Sequence, residues 1–176
     1  MTLTIGILTY TINDQYRDMT QKSIDSFKGQ GDELIVVENG GKYDWNADIF
    51  VKYIDNVGYT KGVNTILELA TSDYVIFVSN DVTLIYGDLR KLCVLDTVTS
   101  PNVFPHHESG FSGAMFCVPK SILDKIGYLD ERMILRYSDT EFAERLIKMG
   151  IPIKQVSGIS VTHLVDQTIH KTFDMA

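Results

Sequence analysis

The sequence has little cysteine, proline or excess basic charge and no long hydrophobic run, and each shortage excludes a class of protein. Its two cysteines, Cys93 and Cys117, cannot build a disulfide framework or a four-cysteine zinc site. The 16 Lys and Arg residues against 23 Asp and Glu give a net charge of −7, so no overall basic surface exists for non-specific nucleic-acid binding. No apolar run approaches the ~20 residues that cross a bilayer. The N-terminus lacks a signal-peptide pattern, and we expect a cytoplasmic protein without a transmembrane segment.

The remaining composition is that of one globular domain. The chain has 176 residues, of which 44% are hydrophobic and 22% charged, and no repeat or proline-rich linker divides it. We therefore expect a single domain over residues 1–176.

Apolar runs rich in β-branched residues alternate with helical patterns along the chain. Strands are predicted at Thr2–Leu8, Glu33–Val37, Ile49–Ile54, Tyr74–Val78, Ala114–Val118, Ile153–Val156 and Ile159–Thr162. Helices are predicted at Asp14–Phe27, around Val63–Ala70, at Lys120–Ile126 and at Asp139–Met149. This rhythm predicts an α/β fold with a mostly parallel central sheet flanked by helices.

Ligands of such sheets bind beyond the carboxyl ends of the strands, so the residues that follow each strand are the candidates for function. Asp81 follows the apolar strand YVIFV, where a carboxylate is well placed to hold a divalent cation on phosphates. The alternative is that Ser79, Asn80 and Asp81 form an Asx turn. His163 follows another strand and is a potential metal ligand, although a lone histidine is also typical of a surface or core position. His106, His107 and His170 show no ligand spacing with it.

Two helix starts are further candidates. The segment NVGYTKGVN brings Gly58, Lys61 and Gly62 to a helix N-terminus, a place that attracts anions such as a pyrophosphate; a tight loop explains it equally well. Asp139 lies inside Ser-x-x-Glu, a pattern typical of a capping box. The same carboxylate, held at a helix start, is also suited to act as a general base.

The order of these motifs resembles that of the family 2 glycosyltransferases, which have the nucleotide-sugar-binding GT-A fold. The resemblance runs from about Thr2 to about Thr168, and its segments are ILTYT, ELIVVENGG, NVGYTKGVN, YVIFVSNDV, GFSGAMFCVPKSILDKIGYLDE, YSDTEFAERLIKMG and VTHLVDQT. It implies a Rossmann-like GT-A domain with a nucleotide-binding half over about residues 1–81 and an acceptor and catalytic half over about 82–176.

The resemblance also implies roles for individual residues. The donor nucleotide would be bound by Thr9, Tyr10, Glu38, Asn56, Gly58, Lys61, Asn64 and Asn80. Asp81 and His163 would hold Mn²⁺ or Mg²⁺ on the donor diphosphate, and Asp139 would be the catalytic base. The chain departs from the family pattern at Ser79 and Ser138, where the family has acidic residues.

The implied reaction is a metal-dependent, inverting transfer of a sugar from a nucleotide diphosphate, with UDP favoured, to an acceptor hydroxyl. A saccharide is the expected acceptor; a hydroxymethylated DNA base is less favoured and would require clustered basic residues, for which Lys120, Lys125, Arg132 and Arg136 are the candidates. The alternatives are a non-catalytic sugar-nucleotide-binding module and, less favoured, a nucleotidyltransferase-like protein, for which ILTYTIND lacks a phosphate loop. A homo-oligomer is left open.

Overall fold

The computed structural model describes residues 1–104, 111–134 and 136–164. The strands are β1 (Leu3–Thr9), β2 (Glu33–Asn39), β3 (Ile49–Tyr53), β4 (Tyr74–Ser79), β5 (Val82–Tyr86), β6 (Val98–Phe104), β7 (Met115–Pro119) and β8 (Ile153–His163). The helices are α1 (Asp14–Phe27), α2 (Tyr59–Leu69), α3 (Lys120–Ile126) and α4 (Ser138–Lys148), with a short 3-10 helix at Leu89–Leu92.

The strands form one mixed sheet in the order β3-β2-β1-β4-β7-β6-β8-β5. Strands β1 to β4 are parallel to their neighbours within that group. The second half of the chain adds antiparallel pairs of β7 with β4 and β6, and of β5 with β8, together with one parallel pair, β6 with β8. The predicted α/β fold with a mostly parallel sheet is therefore confirmed, and its antiparallel pairs all involve strands of the second half.

The apolar side chains of the central strands alternate between two cores, one on each face of the sheet. Ile7 and Ile76 point into the core that α1 covers, whereas Val37 and Phe77 point into the core under α2. All four are fully buried. This double covering explains the near-continuous apolar runs from which the strands were predicted.

Two helices begin and end where the sequence predicts because their end residues carry local signals. Asn13 caps α1, its side chain accepting a hydrogen bond from the backbone N–H of Tyr16 at 3.0 Å. Helix α3 ends at Gly127, whose φ of 76° is in the left-handed region that glycine adopts readily.

The sequence prediction misses β5, β6 and the 3-10 helix, and it divides β8 into two strands. Pro101 lies inside β6, at the point where the pairing with β8 changes register. The ladder passes there from Pro101↔Val156 to Asn102↔Ser160, so three positions of β8 bulge out. Gly158 lies in this bulge with a φ of 80°.

The predicted capping box at the start of α4 is wrong. Tyr137 precedes the helix in a left-handed conformation, with φ of 68°, and no side chain caps this end. Ser138 is the first helical residue and is buried. Glu141 instead pairs with Arg145 one turn later, at 2.8 Å. Asp139 thus lies in the first turn of α4 without the cap that the sequence suggested.

Candidate active site

The carboxyl ends of β1, β2 and β4 lie side by side, because Thr9 pairs with Glu38 and Leu8 pairs with Ser79. The chain turns directly after β4 and enters β5, which pairs with the last strand, so that Val82 lies opposite His163. A strand from the end of the sequence is thereby brought to the end of β4.

Asp81 and His163 meet at this place. The distance from Asp81 Oδ2 to His163 Nε2 is 3.3 Å, and both side chains are largely buried, at 9% and 13% exposed. The backbone holds the pair together, since the N–H of Leu164 donates to the carbonyl of Asp81 at 3.0 Å. These two residues, 82 positions apart in sequence, are the two that the motif order assigned to one metal ion.

The donor atoms of this pair fit a divalent cation. Asp81 Oδ1 is buried and has no hydrogen-bond partner among the described residues. A buried carboxylate oxygen without a partner is costly, and a cation would satisfy it. Carboxylate oxygen is a preferred ligand of Mg²⁺ and Mn²⁺, and imidazole nitrogen binds many divalent metals. No group of three His, Cys, Asp or Glu side chains suited to a metal occurs in the described part of the chain, so the pair would supply two ligands.

Asp139 packs against Gly113, which adjoins the residue that is hydrogen-bonded to the same strand end. A Cβ atom at Gly113 would lie 3.0 Å from Asp139 Cγ and closer still to Oδ2, so the carboxylate rests directly on the glycine backbone. The next residue, Ala114, accepts a hydrogen bond through its carbonyl from the N–H of Ser79 at 2.8 Å. The segment 113–114 therefore links the end of β4, which precedes Asp81, with Asp139 on α4.

Tyr59, the first residue of α2, completes this group. Its hydroxyl donates to the carbonyl of Gly113 at 2.7 Å, and its ring packs edge-on against Phe77 with centroids 5.7 Å apart. Burial raises the pKa of Tyr59 well above its usual range, and the negative charges of Asp139 and then Asp81 raise it further. The hydroxyl therefore lies within the field of both carboxylates and stays protonated at neutral pH.

Sequence reasoning did not single out Tyr59 or Gly113. Both lie inside motif segments, NVGYTKGVN and GFSGAMF, but an aromatic residue at a helix start is more typical of packing than of a site. Gly113 could not be recognised from its own motif, because its role depends on the carboxylate of Asp139, which lies 26 residues later in α4.

Three of the predicted donor residues are hydrogen-bonded inside the protein. Glu38 is fully buried, and its two oxygens accept from the N–H of Thr11 and from Trp45 Nε1, both at 2.8 Å. Asn80 donates through Nδ2 to Thr20 at 2.8 Å and to Thr9 at 3.4 Å. These contacts brace the strand ends from the side of α1, and the predicted nucleotide contacts of Thr9, Glu38 and Asn80 stay predictions.

Tyr10 follows β1 and is half-buried. It is the predicted donor residue that directly continues the strand end at Thr9, and its role likewise stays a prediction.

Two residues of the NVGYTKGVN segment hold the chain that leads to α4. Asn64 is almost fully buried, and its amide binds the backbone of Leu129 in both directions, at 2.9 and 3.0 Å. Lys61 and Asn64 also contact Glu131 Oε1, at 3.2 and 3.0 Å.

The glycine loop before α2 is similarly engaged. Gly58 has a φ of 90° and packs against Ile134, where a Cβ would lie 2.7 Å from the isoleucine side chain. The Oδ1 atom of Asn56 accepts from the N–H of Gly58 at 2.9 Å and from Asn39 Nδ2 at 2.9 Å. The predicted donor residues of this segment are thus brought next to the segment that precedes Asp139.

The candidate basic acceptor patch is not a cluster of free cations. Lys120 donates to the carbonyl of Leu67 at 2.8 Å, and Lys125 pairs with Asp96 at 3.7 Å. Arg132 pairs with Asp130 at 2.6 Å, which lowers the pKa of that carboxyl to about 2.

The remaining member of that patch, Arg136, is exposed. His106, His107 and His170, and the motif residues after Leu164, lie outside the described residues. Within the described residues, the helices are too short or too polar to cross a membrane.

Comparison with known proteins identifies the fold. The mannosyltransferase PcManGT from Pyrobaculum calidifontis, solved with GDP-Man and Mn²⁺, matches at a TM-score of 0.72 and 14% identity, over 98% of this chain and 59% of that one. S. aureus TarS 1-349, solved with UDP, matches at 0.65 and 14% over 92% and 60%. The catalytic domain of Drosophila β1,4-galactosyltransferase 7, solved with xylobiose, matches at 0.64 and 11% over 95% and 72%.

The chain thus spans about three fifths of the length of the first two proteins. The comparison with family models and the comparison with curated proteins found no match. The structural similarity nevertheless covers 92% or more of this chain in each of the three comparisons. The chain therefore has the GT-A fold that its motifs predicted, the fold of nucleotide-sugar glycosyltransferases.

Proposed function

We propose that this protein is a metal-dependent, inverting glycosyltransferase that moves a sugar from a nucleotide diphosphate to an acceptor hydroxyl. The observation that carries the proposal is the Asp81–His163 pair after β4, with Asp139 packed on Gly113, next to the residue that hydrogen-bonds Ser79 at the end of β4. A buried carboxylate–imidazole pair with an unsatisfied oxygen lies on one side, and a half-buried carboxylate lies on the other. Nucleotide-sugar transfer needs a cation at the departing diphosphate and a base at the acceptor hydroxyl, at neighbouring positions.

Asp81 and His163 are the residues that would hold the cation. A bound divalent cation supplies positive charge that offsets the charge gathering on the departing diphosphate. The chain contributes to this by holding Asp81 directly before β5 and His163 at the end of β8, which pairs with β5, so that little reorganisation is needed on binding. The mannosyltransferase of similar fold was solved with Mn²⁺ and GDP-Man.

Asp139 is the proposed general base. The acceptor oxygen attacks the anomeric carbon, the bond from that carbon to the diphosphate oxygen breaks, and its electron pair leaves with the nucleotide. The acceptor proton passes to the Asp139 carboxylate as the new bond forms. One displacement from the face opposite the leaving group inverts the anomeric centre. A carboxylate in the first turn of a helix keeps a fixed position during this step.

A UDP-sugar is the favoured donor and a saccharide the favoured acceptor. TarS of similar fold was solved with UDP, and the galactosyltransferase with xylobiose. Of the four basic residues that a DNA acceptor would require, Lys125 and Arg132 are paired with carboxylates and Lys120 is bonded to a backbone carbonyl. The net charge of −7 also favours an uncharged acceptor over a polyanion.

The test is the variant Asp139→Asn, assayed for sugar transfer and for donor binding. Transfer should fall by about 100-fold or more, since an amide cannot accept the proton. The rise in Tm that a bound donor produces should persist, because donor contacts are intact. Asp124→Asn, at an exposed position of α3, is the matched control. Full transfer by Asp139→Asn would remove this residue as the base.

A non-catalytic sugar-nucleotide-binding module is the second candidate. It is favoured by the small number of acidic groups, because Asp81 has no second carboxylate beside it in the described residues. Incubation of the wild-type protein with UDP-sugars, Mn²⁺ and saccharide acceptors distinguishes the two, since only an enzyme releases the nucleotide diphosphate.

A further inference from the structure

The hydroxyl of Tyr59 joins three elements of the candidate site that are distant in sequence. Tyr59 begins α2, its ring is fixed on Phe77 of β4, and its hydroxyl donates to the carbonyl of Gly113 before β7. The ring contact fixes the direction of the hydroxyl, so the hydrogen bond in turn fixes the backbone at position 113.

The backbone at position 113 is also the surface on which the Asp139 carboxylate rests. A Cβ there would lie 3.1 Å from Asp139 Cβ and 3.0 Å from its Cγ, so a glycine is required for this approach. On its other side the segment is tied to β4, since Ala114 accepts from the N–H of Ser79. A shift of Gly113 would therefore change the position of Asp139 relative to the strand end that carries Asp81.

We infer that Tyr59 is a positioning residue for the proposed base, acting through its hydrogen bond to Gly113. This inference rests on the proposed function. The hydroxyl fixes the backbone on which the Asp139 carboxylate rests, and thereby the distance of that carboxylate from the end of β4. The negative charges of Asp139 and Asp81 both act on this hydroxyl.

The experiment compares Tyr59→Phe with Tyr53→Phe. Both variants lose one phenolic hydroxyl that contacts a neighbouring group, but the hydroxyl of Tyr53 hydrogen-bonds Thr65 within α2 at 2.8 Å, away from Gly113. Tyr59→Phe keeps the ring on Phe77 and should lower kcat by about tenfold, since small displacements of a catalytic group have large effects on rate. The KM for the donor and the donor-induced rise in Tm should remain as in the wild type. Tyr53→Phe should leave kcat, KM and this rise in Tm unchanged.

Gly113→Ala is the second variant, because the added methyl group displaces the Asp139 carboxylate from the backbone at position 113 while the Tyr59 hydroxyl remains. It should lower kcat at least as strongly, with donor binding retained. In the background of Asp139→Asn, Tyr59→Phe should cause no further loss of the residual rate, since its effect passes through the base. A merely structural role would add its loss in both backgrounds.

The outcomes are distinct. A wild-type kcat for Tyr59→Phe overturns the positioning role and leaves the proposed function intact. A parallel loss of donor affinity and kcat also overturns it, because the hydroxyl would then act on the donor. Absence of transfer by the wild-type protein with every UDP- and GDP-sugar and saccharide acceptor offered overturns the proposed function itself, and this role with it.

Discussion

Two buried carboxylates at the same edge of the sheet, near the ends of strands that flank β1, are treated differently by this fold. Glu38, near the end of β2, has both oxygens occupied by N–H donors of the protein. Asp81, after β4, shares one oxygen with His163, while its other oxygen has no hydrogen-bond partner among the described residues. A carboxylate that the chain satisfies completely stabilises the fold, whereas one left incomplete is available to a ligand. Two carboxylates at the same edge of the sheet thus differ in how completely the protein satisfies them.

The largest effect on stability should come from Glu38→Gln. The amide that replaces one oxygen would face an N–H donor of Thr11 or Trp45, so one charge-assisted bond is lost and a buried donor is left unpaired. The free energy of unfolding should fall by about 3 kcal/mol, measured by urea denaturation. Glu33→Gln, in the same strand at a half-exposed position, should change it far less. Equal losses in both variants would contradict the difference drawn here.

An intermediate effect should come from Thr20→Val. Thr20 is fully buried and accepts the shorter of the two hydrogen bonds from the Asn80 amide. The substitution conserves shape but leaves that amide with only the longer bond to Thr9, and the free energy of unfolding should fall by about 1.5 kcal/mol. Thr71→Val, at an exposed position bonded to Glu33, is the control. No loss in Thr20→Val would show that Asn80 does not depend on this network.

The smallest effect on stability should come from Asp81→Asn in the absence of metal. A neutral amide removes the desolvation cost of the incomplete carboxylate, so the free energy of unfolding should change by less than about 1 kcal/mol. Mn²⁺ should raise the Tm of the wild-type protein and of Asp124→Asn but leave that of Asp81→Asn unchanged. If Asp81→Asn lost as much stability as Glu38→Gln, Asp81 would be a structural residue and the comparison would fail.

Much of the fold could be predicted because its signals are local. The boundaries of α1 and α3 follow from a cap at Asn13 and a stop at Gly127, each decided by one residue and its neighbours. Strand β6 could not be predicted in this way, because Pro101 is tolerated only through a bulge in its partner strand. Strand β5 follows the turn at Asn80 and Asp81, but its last residues are exposed and its partner β8 lies at the far end of the chain, so its local pattern is weak.

The site was predictable only in part. That Asp81 and His163 lie together was implied by the resemblance to family 2 glycosyltransferases, since each residue alone is also typical of a structural position, and their roles stay predictions. The satisfaction of Glu38 by Trp45 could not be anticipated, because it depends on how a loop folds back over the strand end. The Tyr59–Gly113 contact depends on three elements that meet only in the folded chain.

The bulge in β8 decouples the length of this strand from the alignment of its last residues. Positions 157 to 159 are not paired with β6. A residue inserted or deleted there can therefore be accommodated within the bulge, so that the residues from Ser160 onward keep their partners. From Val161 to His163 the pairing with β5 runs without a shift, and a change of one residue there would turn the imidazole to the opposite side of the sheet. A change of length within the bulge should therefore leave His163 beside Asp81, whereas one between Val161 and His163 should separate the two residues.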